Sequence, residues 1–180
     1  AARIFDAATT ILGKTHDEVG ALALSSIPGA HGLTLLPYFE GERTPNRPTA
    51  TGVFSGMNIA NSNPADIARA MIEGMLSGLA DAVAALEDLG VDIKRVLIIG
   101  GAAKNPAVGQ IASALFGRPV LIPPAGEYVA DGAAKQAAWA LLGGATPPVW
   151  DLGTAMHIEA AATPAVLEKY RTLRDATVNW

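Results

Sequence analysis

The chain has 180 residues, 50% of them hydrophobic and 17% charged, which fits one globular domain with a buried core. Its net charge of -4 leaves no basic surface for phosphate backbones, so a nucleic acid partner is not expected. No apolar run approaches the roughly 20 residues of a membrane-spanning helix. The first ten residues, AARIFDAATT, also lack the pattern of a signal peptide. We expect a cytoplasmic protein without a membrane partner.

Cysteine and histidine content restricts the chemistry further. There are no cysteines, which excludes disulfides and thiolate catalysis, and the 3 histidines are scattered rather than spaced as metal ligands. We predict no metal site. Because the first residue is not methionine and residues 3–8 already have a helical pattern, we interpret the chain as a piece of a longer protein.

The first half of the chain predicts a helix, a strand and a long loop. Residues 15–25 begin with a Thr followed three positions later by a Glu, the pattern of a capping box. Residues 33–39 (LTLLPYF) form an apolar run that predicts a buried strand, with Pro37 marking its end or an edge. The loop GERTPNRPTATG follows.

A long helix is predicted to begin after Asn63, a good N-cap, and to end at Gly90 in a left-handed cap. Apolar residues recur along it at spacings of three and four, which predicts one buried stripe. The stripe comprises Ile67, Met71, Met75, Leu79, Val83 and Leu86. Gly74 and Gly78 lie one turn apart on this helix, and close packing against another backbone is the expected reason for both.

The second half predicts a parallel unit of strand, helix and strand. The strands are predicted at 95–99 and 119–122, with a Gly-Gly turn and a helix over 106–116 between them. An alanine-rich helix is predicted at 129–142, where Asp131 favours the positive end of the helix dipole. A last amphipathic helix is predicted at 164–176.

The Gly100–Gly101 turn is the most suggestive local feature. Without side chains at these positions, and with Ala102 beside them, a flat ring such as adenine can lie against the backbone. Asn105 offers a donor and an acceptor to a purine edge, although its local pattern favours a role as N-cap of the next helix. The two roles are compatible. The turn lacks the pattern of a phosphate loop, so Lys104 is interpreted as a solvated charge.

The loop EGERTPNRP concentrates charges within eight positions. Glu42 and Arg43, with Glu40 and Arg47 beside them, could orient a polyol through charge-assisted hydrogen bonds. The alternative, a solvated surface turn, is favoured by the local residues alone.

At these residues the chain resembles the FGGY family of carbohydrate kinases, from about residue 33 to residue 142. Residues 52–73 (GVFSGMNIANSNPADIARAMIE) are similar to the second signature of the family over its full length. GGAAKN at 100–105 is similar to its adenine loop, and ADGAAKQAAWAL at 130–141 to the helix that closes its nucleotide pocket. Asp131 departs from the apolar residue expected in that helix.

The resemblance implies an α/β, actin-like ATPase (ribonuclease H-like) lobe with a mixed sheet flanked by helices. Residues 1–180 would form the C-terminal, adenine-binding lobe, without the N-terminal lobe for sugar and phosphate. By position, Gly101 and Asn105 would contact the adenine, and Gly100 and Ala102 would shape its slot. The implied cofactors are ATP and, in the intact enzyme, Mg²⁺. No catalytic residue of the family falls within this chain, so we predict that it is inactive alone.

The resemblance also bears on substrate and assembly. GERTP at 41–45 is similar to the corresponding loop of xylulokinases, which favours D-xylulose, phosphorylated to xylulose 5-phosphate, and places Glu42 and Arg43 near the cleft. The alternatives are a gluconate, ribulose or glycerol kinase of the same family, or an actin-like module that binds nucleotide without catalysis. The surface left uncovered by an absent lobe would favour a homodimer.

Overall fold

A computed structural model describes residues 2–151 and 153–178. The helices are α1 (Ala2–Leu12), α2 (His16–Ser25), α3 (Pro64–Asp88), α4 (Pro106–Phe116), α5 (Tyr128–Leu142) and α6 (Pro164–Ala176). The strands are β1 (Thr34–Leu36), β2 (Val53–Ser55), β3 (Val96–Leu97), β4 (Val120–Ile122) and β5 (Met156–Ile158). Short 3-10 turns occur at Ala30–Gly32 and Gly101–Lys104.

The predicted helix ends are confirmed, because each is fixed by local hydrogen bonds. Thr15 and Glu18 form the complete capping box of α2. The Asn63 side chain accepts a hydrogen bond from the Asp66 N–H at the start of α3. Gly90 follows that helix with a φ of +82°, a left-handed conformation that favours glycine.

Helix α3 forms the centre of the core. Every residue from 68 to 77 is buried, and the helix packs against α1, α2, α4 and β1. The predicted buried stripe is correct at Met71 but wrong at Leu79 and Leu86, which are 42% and 47% exposed. These two residues are exposed because the last turns of α3 extend past the elements that cover its first turns. Close packing is likewise found at Gly74, whereas Gly78 is exposed.

Two small sheets flank this helix core. Strands β1 and β2 pair antiparallel, and the second sheet has the order β3-β4-β5. Its first two strands are parallel and joined through α4, as predicted, while β5 pairs antiparallel with β4 and makes the sheet mixed. Strands β2 and β5 were not predicted, since each has three residues and owes its strand conformation to a distant partner.

The second sheet is covered by α4 on one face and is open on the other. Leu97 and Ile99 are 43% and 48% exposed, and one edge of β3 pairs with no strand of the described ranges. Helix α5 extends over the predicted residues plus Tyr128, yet none of its residues is buried. Asp131 lies exposed in its first turn. The described part of the chain therefore leaves an apolar sheet face and an apolar helix uncovered.

Candidate functional site

The turn that follows β3 is built from residues without bulk. Gly100 has a φ of +96°, which favours glycine, and Gly101 opens the 3-10 turn that leads to Asn105. Both glycines are exposed, and a Cβ added at either would meet no atom within 4 Å. The turn therefore presents bare backbone to open space, as an approaching flat ring requires.

The Asn105 side chain joins this turn to α2. Its Oδ1 accepts the Ala107 N–H at 3.0 Å, which confirms the predicted cap of α4. Its Nδ2 donates to the carbonyl oxygen of His16 at 2.8 Å, and Gly20 of α2 leaves room for the amide. With only 5% of the residue exposed, Asn105 fixes the distance between the turn and the first residue of α2.

One hollow lies between the starts of α1 and α2 and the glycine turn, and we call it the α1–α2 hollow. Its volume is about 380 Å³. It is lined by Ala2, Phe5, Asp6, His16, Asp17, Gly101, Ala102, Lys104 and Asn105. Three of the four predicted nucleotide residues thus line one space, and Gly100 does not.

The walls of the α1–α2 hollow include two aromatic rings held in a fixed arrangement. The rings of Phe5 and His16 meet edge to face, with centroids 4.9 Å apart. The Nε2 of His16 lies 2.8 Å from Oδ1 of Asp6, which ties α1 to α2. Asp17 in the first turn of α2 adds a second carboxylate. Sequence reasoning missed these four residues, because they meet only through the packing of α1 against α2.

A second hollow opens on the other side of the turn, at the carboxyl ends of β3 and β4, and we call it the strand-end hollow. Its volume is about 580 Å³, and its lining is mainly apolar, with Ile98, Ile122 and Met156 among the contributors. Gly100, Gly101 and Lys104 also line it. Parallel strands of α/β sheets commonly bind ligands at this end. The glycine turn therefore separates two hollows and borders both.

The charged loop lies apart from this turn. The Oε1 of Glu42 accepts the backbone N–H groups of Arg43 and Thr44 at 2.7 and 3.2 Å, so its carboxylate closes its own turn. Arg47 donates to the carbonyl oxygen of Arg174 in α6 at 2.7 Å. Neither Glu42 nor Arg43 lines either hollow. Within the described residues, the structure does not bring the predicted cleft residues to the glycine turn.

The segment that resembles the second family signature contains a buried polar cluster. Asp66 accepts hydrogen bonds from Ser26, from His31 Nδ1 at 2.9 Å and from Asn63 Nδ2 at 2.7 Å. Burial alone would raise the pKa of this carboxyl, but the three donors hold the pKa below its ordinary value. Two turns further along α3, the carboxylate of Glu73 accepts a hydrogen bond from Arg69 Nε at 2.6 Å.

The Glu73 carboxylate also accepts the Gly29 N–H at 3.0 Å, so both acidic residues anchor the segment before β1 onto α3. Burial raises the pKa of Glu73, and the charge and hydrogen bond of Arg69 offset this only in part. These two signature carboxylates therefore connect α3 to the segment that joins α2 to β1.

Between residues 2–151 and 153–178, no three His, Asp or Glu side chains lie close enough together to hold a metal ion. In the same ranges no helix combines the length and apolarity needed to cross a membrane.

Comparison with known proteins identifies the family. Residues 6–141 match the model of the FGGY family of carbohydrate kinases, C-terminal domain. The xylulose kinase of Streptomyces rubiginosus is 37% identical over 131 residues, covering 71% of this chain and 27% of that protein. The glycerol kinase of Alkalilimnicola ehrlichii is 38% identical over 137 residues, covering 74% of this chain and 27% of that protein.

A solved structure gives the same result in three dimensions. The crystal structure of xylulose kinase from Bifidobacterium adolescentis superposes with a TM-score of 0.84 at 46% identity, over 97% of this chain and 34% of that one. The chain spans about a quarter of the length of the curated relatives that it matches. Its mixed sheet and helices have the actin-like ATPase fold of these kinases. The chain belongs to the FGGY family of carbohydrate kinases, and it matches the C-terminal domain of that family.

Proposed function

We propose that this chain supplies the adenine-binding part of the nucleotide site in an ATP-dependent sugar kinase. The observation that supports this most directly is the α1–α2 hollow, where Gly101, Ala102 and Asn105 line one space beside the Phe5 and His16 rings. Bare backbone on one side and aromatic rings on another suit the faces of a purine. Gly100 lies on the far side of the turn and would shape the path by which the nucleotide leaves the hollow.

The proposed role of Asn105 is chiefly to position the walls of the hollow. Its amide oxygen and one amide hydrogen are used by the α4 cap and by the carbonyl of His16. One N–H and one lone pair are left for a base edge. Substituting Asn105 would therefore weaken nucleotide binding through the position of α2 as well as through any direct contact.

For the whole protein we propose phosphorylation of D-xylulose by ATP. Support comes from the similarity to xylulose kinases, although this chain matches only about a quarter to a third of their length. A glycerol kinase is the second candidate, because one is equally similar at 38% identity. Sugar phosphorylation by the intact protein, measured across a panel of D-xylulose, D-ribulose, gluconate and glycerol, distinguishes these substrates.

Mg²⁺ accompanies the phosphates in kinases generally. The described residues form no carboxylate cluster for it, so we assign no residue of this chain to the metal. Phosphoryl transfer depends on positioning and charge stabilisation from several sides of the phosphate. We therefore propose that the 180-residue chain alone is inactive, and sugar-dependent ADP formation by it would refute this.

Calorimetric titration of the chain with ATP, ADP and GTP tests the nucleotide site, with Asn105→Ala as one variant. Because Asn105→Ala also removes a helix cap, a second variant is needed that keeps the fold. Gly101→Leu meets no protein atom at its Cβ and needs no left-handed backbone, yet it fills the space beside the turn. We expect it to weaken ADP binding by about tenfold or more.

The matched control is Gly78→Leu on the exposed side of α3, far from both hollows, where an added Cβ would meet only the Tyr170 hydroxyl at an ordinary 3.6 Å. It should leave ADP affinity unchanged. Equal ADP affinities for the wild type, Gly101→Leu and the control would count against the proposed site. So would the absence of binding of any of the three nucleotides. A homodimer stays a prediction, which sedimentation equilibrium of the same sample would check.

A further inference from the structure

We infer that Lys104 binds the phosphate groups of the nucleotide and is the reason that ADP and ATP bind this chain better than adenosine. This inference rests on the proposed adenine site and gives a binding role to a residue that the sequence alone predicts to be a solvated charge. Lys104 closes the 3-10 turn after Gly101 and is exposed.

The position of Lys104 supports this role. It lines both the α1–α2 hollow and the strand-end hollow, as does Gly101 between them. A nucleotide whose base occupies the α1–α2 hollow extends its ribose and phosphates out of that space. If the phosphates pass over the bare backbone of the glycine turn, they come within reach of the Lys104 ammonium, whose flexible stem has three donors.

The charged side chains around the two hollows favour a role for this cation. Three carboxylates line them, those of Asp6 and Asp17 in one hollow and Glu127 in the other. Lys104 is the sole Lys or Arg among the described residues that line either hollow. Among the side chains of these linings, the only other one that can carry a positive charge is His16.

Lys104 is also available for a ligand. It forms none of the ion pairs found among the described residues, whereas the nearby Asp6 is already bonded to His16. An exposed lysine without a carboxylate partner can contact a phosphate without breaking an existing interaction.

The test compares ADP with adenosine, titrated into the 180-residue chain and into Lys104→Gln. We expect the variant to lose about tenfold in ADP affinity, the change typical of one charge-assisted hydrogen bond, while its adenosine affinity stays the same. Lys104→Arg, which keeps the charge, should retain most of the ADP affinity. Lys169→Gln on the exposed surface of α6 is the matched control and should change neither affinity.

Each outcome discriminates. An equal loss for ADP and adenosine would mean that Lys104 shapes the hollow without contacting phosphate, and unchanged ADP affinity in Lys104→Gln would overturn the inference while leaving the adenine site intact. Wild-type binding of adenosine as tight as that of ADP would overturn it too. If the wild-type chain binds neither ligand, the proposed adenine site fails together with this inference.

Discussion

The packing of α3 against β1 predicts opposite effects for two glycine substitutions one turn apart. A Cβ added at Gly74 would lie 2.5 Å from the carbonyl oxygen of Leu35 and 3.2 Å from its carbonyl carbon. Leu35 is paired with Phe54 of β2, so its backbone cannot withdraw without disturbing the sheet. A Cβ at Gly78 would meet only the Tyr170 hydroxyl, at an ordinary 3.6 Å.

The expected changes in the free energy of unfolding combine a gain in helix propensity with a cost of overpacking. Replacing Gly with Ala inside a helix stabilises by about 1 kcal/mol when nothing else changes. Forcing an extra carbon into a packed site costs about 1–3 kcal/mol, and a rigid backbone contact belongs at the upper end. We therefore expect Gly78→Ala to raise the free energy of unfolding by about 1 kcal/mol. Gly74→Ala should lower it by about 1–2 kcal/mol, the difference between the two terms.

Urea denaturation followed by far-UV circular dichroism measures both variants, with unchanged m-values as the check that only stability differs. In thermal denaturation of the same two variants, the midpoint temperatures should lie roughly 4–12 °C apart for a chain of this size. If Gly74→Ala proves as stable as Gly78→Ala, the close contact between α3 and β1 does not constrain the core, and the reasoning fails.

The buried carboxylates of α3 give two further predictions. The folded-state pKa of Asp66 is below its ordinary value of 3.8, so the unfolded chain binds the proton more readily than the folded chain does. The ionised carboxylate therefore stabilises the fold above pH 3.8, and this stabilisation is lost as the pH falls through the folded-state pKa. Urea denaturation across acidic pH should show this loss in the wild type and a flatter profile in Asp66→Asn; parallel profiles would contradict it. Glu73→Ala should cost about 3–5 kcal/mol, since it leaves the buried Arg69 charge without its partner, and Glu73→Gln should cost less. A loss below about 1 kcal/mol for Glu73→Ala would show that the Arg69 charge is solvated by another route.

The sequence predicts local structure reliably where a helix end is fixed by residues close to it along the chain. The capping box at Thr15, the cap at Asn63 and the left-handed glycine after α3 all formed as predicted. The burial of α3 was predicted less well. Periodicity indicates which face of a helix is apolar, but Leu79 and Leu86 are exposed because no described element covers that part of the face.

In the candidate site too, local features were predicted from the sequence, whereas residues brought together by packing were not. Gly101, Ala102 and Asn105 were predicted from the turn and from the family resemblance, and they line one hollow. The opposite wall, formed by Phe5 and His16, gave no signal in the sequence, because nothing local relates two residues on different helices. Lys104 was assigned to solvent for a similar reason, since its place between two hollows depends on the packing of both sides of the turn.

By itself, then, the sequence determined the family, the order and ends of most helices, and the position of the glycine turn. These follow from residue identity and from interactions spanning three or four positions. Only the tertiary structure decided that Asn105 joins the turn to α2, that α1 supplies an aromatic wall, and that α5 and one face of the second sheet are left exposed. These features depend on contacts between distant segments, such as the hydrogen bond between Asn105 and His16, which are 89 residues apart. Such contacts form only when apolar surfaces from the whole chain are buried together.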